Sequence, residues 1–319
     1  MNDRFRGSSA PLAHESSRRV FLANVHRLGM ASGFLWVGGC SELGEVNESS
    51  GGKIRVVATT GMIADMVRQI GGEWVIVEQL IQAGVDPHLY KPIRDDVVAI
   101  MASSVVFYNG LKLEGRMADL LSGNVAAGRV HIAMSDALDA DMLLGESGHD
   151  AIDPHIWMDV SMWKKATQLI QAELVRRLPQ HAEIMTQRAE ELRTRLSELD
   201  RRGLAAMATI PESQRVLISS HDAFQYFGRR YGLRVEGVQG ISTASEAGLS
   251  RIPELIHMIG ERKVPAVFKE SSVAGRMIDA IIEGAAARGI HLQVGPELYS
   301  DALGATGSGA DTYEGMMAH

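Results

Sequence analysis

The chain has 319 residues, of which 45% are hydrophobic, 22% charged and 5% aromatic, proportions that exclude collagen-like, disordered and disulfide-dense classes and allow two domains. Its 32 Lys and Arg stand against 39 Asp and Glu, a net charge of −7, so no basic footprint points to a nucleic-acid partner. The single cysteine, Cys40, excludes an internal disulfide and a multi-thiolate metal site, which leaves any bound metal to histidines and carboxylates.

In chain order, residues 1–39 read as an export signal. Arg18-Arg19-Val20-Phe21-Leu22 resembles a twin-arginine signal, a moderately apolar stretch interrupted by Asn24, His26 and Arg27 follows it, and Val37-Gly38-Gly39-Cys40 has the form of a bacterial lipobox. Alone, the arginine pair is an ordinary solvated charge cluster and the cysteine an ordinary small hydrophobe; in this order and at this distance each supports the other. Residues 1–39 carry five Arg against Asp3 and Glu15, a net of +3, so removing them takes the charge from −7 to −10. Residues 40–53, rich in Ser, Glu and Gly, read as a tether. No apolar run after the signal reaches the roughly 18 residues of a membrane-spanning helix. The expected product is held by a lipid on Cys40, on the outer side of the cytoplasmic membrane or in the periplasm.

From Ile54 onward short β-rich runs alternate with helical patterns, the signature of α/β units around mostly parallel sheets. Strands are predicted at 54–58, 75–77, 105–107 and 130–132, and Met62, Ile63, Met66, Val67 and Ile70 form the apolar stripe of a helix over 61–70. Residues 54–180 make a first lobe. Residues 181–208 read as one long rigid connector helix without internal Pro and with no Gly before Gly203, carrying surface pairs Glu190 with Arg193, Glu191 with Arg195 and Glu198 with Arg202. A second α/β lobe over 209–319 has predicted strands at 216–218, 233–238, 266–268 and 291–294, and helices at 223–231, 250–262 and 274–288. Ligands of open α/β sheets bind at the carboxyl ends of the strands, so a cleft between two such lobes is the place for a site. The body contains none of the usual nucleotide-binding or serine-hydrolase signatures.

The chemistry-bearing feature is a motif that occurs twice, Asp86-Pro87-His88-Leu89-Tyr90 and Asp153-Pro154-His155-Ile156-Trp157. Neutral imidazole is the commonest metal-binding side chain, and a ligand needs a fixed ring, which proline before it and an aromatic two residues after it supply. A third candidate is His221, directly after the strand at 216–218 and opening a helix, where the helix N-terminus disfavours an imidazolium; the competing reading is a simple cap by Ser220 or Asp222. A carboxylate is needed to balance the ion, and spacing alone leaves Glu270, Glu297, Asp301 and Asp311 open. His131, His181, His257 and His291 fall on predicted elements without a clustered partner.

These residues, with Tyr108-Asn109-Gly110-Leu111, His221-Asp222-Ala223-Phe224, Gln239-Gly240-Ile241-Ser242-Thr243, Phe268-Lys269-Glu270-Ser271-Ser272 and the segment from Glu297 to Gly304, resemble the cluster A-I metal-binding receptors of ABC importers from about Ile54 to the end. The resemblance implies two α/β lobes on a helical backbone and a high-affinity extracytoplasmic receptor. It would bind one divalent transition metal ion, pass it to a permease driven by a cytoplasmic ATPase, and act as a monomer. It implies His88, His155, His221 and Asp301 as ligands, two from each lobe, with Glu270, Trp157 and Tyr90 lining the site. The zinc branch carries a His-rich loop where 133–153 offers only His149, so manganese is favoured, zinc next, with iron open. Raw affinity runs the other way along the divalent series. The family pattern continues past Gly315-Met316-Met317-Ala318-His319 into a further helix, so either the sequence stops short of that helix or the second lobe does without it. The rigid connector implies release upon permease docking rather than wide lobe opening.

Two other classes compete: a metal-dependent hydrolase with an open coordination position and Asp222 or Glu246 as base, and a surface adhesin. If Cys40 carries the anchor, Cys40→Ser shifts the exported protein from the membrane to the soluble fraction on ultracentrifugation; retention in the membrane refutes the anchor.

Overall fold

A computed structural model describes residues 52–122, 129–145, 151–244, 248 and 250–319. The export signal with Arg18, Arg19 and Cys40 lies outside the described residues, as do His149 and Glu246. The first lobe runs β1 (Ile54–Ala58), α1 (Gly61–Gly71), β2 (Val75–Gln79), α2 (Arg94–Ala102), β3 (Val105–Tyr108), α3 (Ala118–Ser122) and β4 (Val130–Ala133). Its sheet is parallel throughout, in the order β2-β1-β3-β4.

Both faces of this sheet are covered, and period-two alternation assigns each side chain to one of them. Val56, Ala58, Val105 and Phe107 join the main core with the α1 stripe, while Val57 and Val106 join a second core with Ala99 and Ile100 of α2. Strands buried on both sides read as continuous apolar runs, which is why their positions were visible in the sequence.

Two helices then form the spine. The first, α4 (Val160–Arg177), is capped by the Asp159 side chain, which accepts from Ser161 N and Met162 N. After a single turn containing Pro179 the chain doubles back as α5 (Ala182–Ala208). The antiparallel register shows in Gln171 bonded to Thr186 and Lys164 to Ser197. At 27 residues α5 is about 40 Å long. Its buried residues Met185, Ala189, Leu192, Leu196 and Leu199 recur every three or four positions and face α4 and α1.

Of the surface pairs expected on α5, Glu190 with Arg193 forms at 2.6 Å. The other two do not. Arg195 turns to Glu314 at 2.8 Å and to Gln69, and Glu198 takes Arg201 at 2.5 Å. Tertiary neighbours outcompete a same-helix partner for Arg195, since an exposed i, i+4 pair is worth only a few tenths of a kcal/mol.

The second lobe contains β5 (Val216–His221), α6 (Gln225–Tyr231), β6 (Arg234–Gln239), α7 (Arg251–Arg262), β7 (Ala266–Val267), α8 (Arg276–Ala286) and β8 (Gln293–Val294). Strands β5 and β6 are parallel, as are β7 and β8, and Phe268 N donates to Ile218 O, setting the second pair beside the first. Ile218, Val238 and Val267 pack under Ile256, Ile259, Ile278 and Ile281. On the other face Leu217 and Val235 join the main core of the first lobe and spine. The last helix, α9 (Tyr313–Ala318), returns to the first lobe: Tyr313 N donates to Asp65 Oδ2 of α1 at 2.9 Å, and its hydroxyl to Trp157 O at 2.7 Å.

Leu196 is fully buried on the spine. Leu196→Ala should therefore lower unfolding free energy by about 2–5 kcal/mol, read by urea denaturation. Arg202→Ala, on the exposed side of the same helix, should stay within about 0.5 kcal/mol of wild type.

Candidate metal centre

Each Asp-Pro-His segment is locked by its own aspartate. Asp86 Oδ1 accepts His88 N at 2.8 Å and Asp153 Oδ1 accepts His155 N at 2.9 Å, turns in which an Asp side chain captures the amide two residues on. Proline restricts the middle residue, so three consecutive residues fix the backbone under each ring. In the second copy Asp153 Oδ1 also meets His155 Nδ1 at 2.7 Å, which turns Nε2 toward the lobe junction. The Pro154 carbonyl is held by Asn109 Nδ2 at 2.8 Å, and Asn109 N donates to the buried Glu114 Oε1 at 2.7 Å. Glu114 reaches back there because Gly110, Leu111 and Lys112 all have left-handed φ, 85°, 53° and 65°, a conformation that costs a non-glycine residue about 1 kcal/mol or more. This bracket behind the second histidine was not identified from the sequence; the Asn-Gly pair after β3 was its local signal.

In the second lobe His221 is the last residue of β5, opposite Gln239 of β6, and α6 begins only at Gln225. The expected helix start at His221 is thus corrected: Ala223 N bonds back to His221 O, a tight turn that separates the ring from any helix dipole. Neither Ser220 nor Asp222 caps a helix; Ser220 Oγ has no partner and Asp222 accepts from the Gln225 side chain at 2.8 Å. What fixes His221 is Glu270, which accepts His221 N at 2.9 Å through Oε1 and meets Nδ1 at 2.5 Å through Oε2. Asp301 follows Ser300, whose carbonyl accepts Trp157 Nε1 at 2.8 Å. Asp301 Oδ2 accepts from Ser272 Oγ at 3.2 Å and Ser300 Oγ at 3.3 Å.

The four side chains converge. One potential ligand atom from each of His88, His155, His221 and Asp301 lies within 4.8 Å of the others. Nε2 of His155 stands 3.2 Å from that of His88 and 3.3 Å from that of His221. The Asp301 oxygens each lie 3.3 Å from a ring, Oδ1 from His155 Nε2 and Oδ2 from His221 Nε2, yet Oδ1 accepts no hydrogen bond. His88 is 5% exposed, Asp301 1%, and the other two rings fully buried.

Burial dominates the His88 ring and pushes its pKa down to about 3, with the Asp301 charge only partly opposing. Burial also opposes charge on His155, but Asp153 and Asp301 outweigh it and lift that pKa to about 9. His221 is raised well above its ordinary value because Asp301 and Glu270 overcome its burial. Burial favours a protonated Asp301, but His221 and His155 hold it well below the usual carboxylate range. Three imidazole nitrogens and a carboxylate at these separations form a set that a single cation can satisfy at once.

Of the other sequence candidates, Trp157 sits edge-on to His155 with ring centroids 5.2 Å apart. The Tyr90 hydroxyl donates to Asp96 Oδ2 at 2.8 Å, the carboxylate that also accepts Ile93 N at the start of α2. Asp311 closes a turn by accepting Gly307 N. His181 stacks on Trp74 and His131 meets Leu121 O; neither joins the cluster.

The sequence profile of ZnuA, described as "Zinc-uptake complex component A periplasmic", matches residues 56–319. Manganese-binding lipoprotein MntA of Bacillus subtilis is 40% identical over 272 residues, covering 85% of this chain and 89% of that protein. Zinc-binding protein TroA of Treponema pallidum is 37% identical over 302 residues, covering 95% and 96%. The solved structure of the periplasmic zinc-binding protein TroA superimposes with a TM-score of 0.81 at 38% identity, over 84% of this chain and 96% of that one. Agreement of profile, sequence and fold over both lobes and the spine leads to one conclusion: the chain belongs to the ZnuA family.

Proposed function

We propose that this protein is an extracytoplasmic receptor that binds one divalent transition metal ion through His88, His155, His221 and Asp301 and delivers it to an ABC importer. Its partners in this reading are a membrane permease and its ATPase, it acts as a monomer, and a lipid on Cys40 holds it at the membrane. Among the described residues no helix is long and apolar enough to cross a membrane, consistent with attachment by the lipid. The carrying observation is the buried convergence of three Nε2 atoms on a carboxylate whose Oδ1 has no hydrogen-bond partner.

A receptor holds its ion in a closed shell, whereas a hydrolase keeps one position open and a base beside it. Four buried donors favour the first. Asp222, the described candidate for a base, is bonded to Gln225. Both Asp301 oxygens face histidine nitrogens at 3.3 Å. Donation through both gives five donors, a number that suits manganese better than a four-coordinate structural zinc site. The two similar proteins above are named for manganese and for zinc; manganese is favoured here and zinc placed second.

Metal analysis with titration calorimetry should find one ion per chain, and His88→Ala and Asp301→Ala should each weaken binding by at least about 100-fold. Undiminished binding in both variants refutes the site. Glu270→Gln, which leaves His221 in place but changes the group on its Nδ1, should lose about 10–100-fold. Saturating metal at about 100 times Kd should stabilise the folded protein by about 2.7 kcal/mol, seen as a raised Tm that a chelator reverses.

A further inference from the structure

The two Asp-Pro-His copies share a turn but use their aspartates differently. Asp153 applies Oδ1 twice to its own histidine, to the amide and to Nδ1. Asp86 applies Oδ1 to the His88 amide, while its Oδ2 accepts from Thr243 Oγ1 across the junction at 2.6 Å. Among the described residues the His88 ring makes no bond to a carboxylate through Nδ1, and its backbone is fixed by the bond from its amide to Asp86.

The seam between the lobes is also uneven. Around His155 it is closed by buried bonds: Tyr226 Oη to Asp153 O at 2.8 Å, Trp157 Nε1 to Ser300 O at 2.8 Å and Tyr313 Oη to Trp157 O at 2.7 Å. Around His88 the Asp86–Thr243 contact is only partly buried, and Leu89 beside it is 44% exposed. Gln239 Nε2 donates to Thr243 O at 2.9 Å, so Thr243 is tied to the residue paired with His221 in the β5–β6 ladder. One hydroxyl therefore links the end of the second-lobe sheet to the loop carrying the first-lobe histidine.

We propose that Thr243 is a positioning residue for ion exchange: by donating to Asp86 it holds His88 in place and closes the seam through which the ion enters and leaves. The bond joins a neutral hydroxyl to a carboxylate in a partly wet place, where a charge-assisted bond still matters and its rupture does not require unpacking a core. The buried bonds around His155 then keep the lobes in register while the His88 side opens. This inference rests on the metal-receptor reading above.

The test is the rate of Zn²⁺ loss from the loaded full chain in detergent, followed by stopped-flow against an excess of a chromogenic chelator. Thr243→Val, which preserves shape and removes the donor, should release the ion about ten-fold faster while still binding one ion per chain. Thr243→Ser, which keeps the hydroxyl, should remain within about two-fold of wild type. A Val variant with the wild-type rate, or a Ser variant as fast as Val, overturns the latch. A Val variant that no longer binds one ion per chain also overturns it, because it places Thr243 in holding the site rather than in exchange. A wild-type protein that takes up no ion overturns the receptor reading itself, a result distinguishable because it appears in stoichiometry before any rate is measured.

Discussion

Asp301 is a carboxylate with 1% exposure whose pKa His221 and His155 hold well below the usual range against its burial, and the surrounding structure is arranged around it. An unpaired buried carboxylate is unfavourable by several kcal/mol, so positive charge must stand beside it. His155 and His221, both raised above the ordinary histidine range, supply it as protonated rings, while His88, kept neutral by burial, adds a third nitrogen to the same cluster. Two further carboxylates, Asp153 and Glu270, sit behind His155 and His221 and raise the proton affinity of those rings; a carboxylate in that place also raises an imidazole's basicity as a metal ligand. The same arrangement serves a proton or a metal, and a metal can satisfy all three rings and the carboxylate at once.

Two of these groups come from each lobe, so the lobes must be held in register to a fraction of an ångström, and the spine supplies that. Helices α4 and α5 form an antiparallel pair whose apolar stripe continues into the sheet of the first lobe and into Leu217, Tyr226 and Val235 of the second. Trp157 serves the core and the site together. Its ring is fully buried, its Nε1 fixes the carbonyl before Asp301, and its own carbonyl accepts from Tyr313. A core that runs unbroken through the junction opposes wide hinge motion, and a partly wet hydrogen bond near His88 is a softer place to yield.

The strands of the first lobe were legible because burial on both faces leaves apolar runs, and the connector because it lacks internal proline over 27 residues. Less was legible where a partner far along the chain decides. Arg195 pairs with Glu314 rather than a neighbour on its own helix. His221 ends a strand instead of opening a helix. Its orienting group is Glu270, 49 residues away, which no local pattern connects to it.

By itself the sequence determined the chemistry: a repeated Asp-Pro-His motif, a third histidine at a strand end, a single cysteine that precedes the predicted lobes, and hence nitrogen and oxygen donors for a cation. It left four acidic residues open as the balancing carboxylate until family resemblance chose among them. Only the tertiary structure decided which carboxylate faces the rings, which ones stand behind them, and that Asp86 joins one lobe to the other through Thr243. The reason is physical. Local sequence fixes backbone turns over a few residues, whereas side-chain partners across a lobe junction are set by how the two sheets and the spine pack, a property of the whole chain.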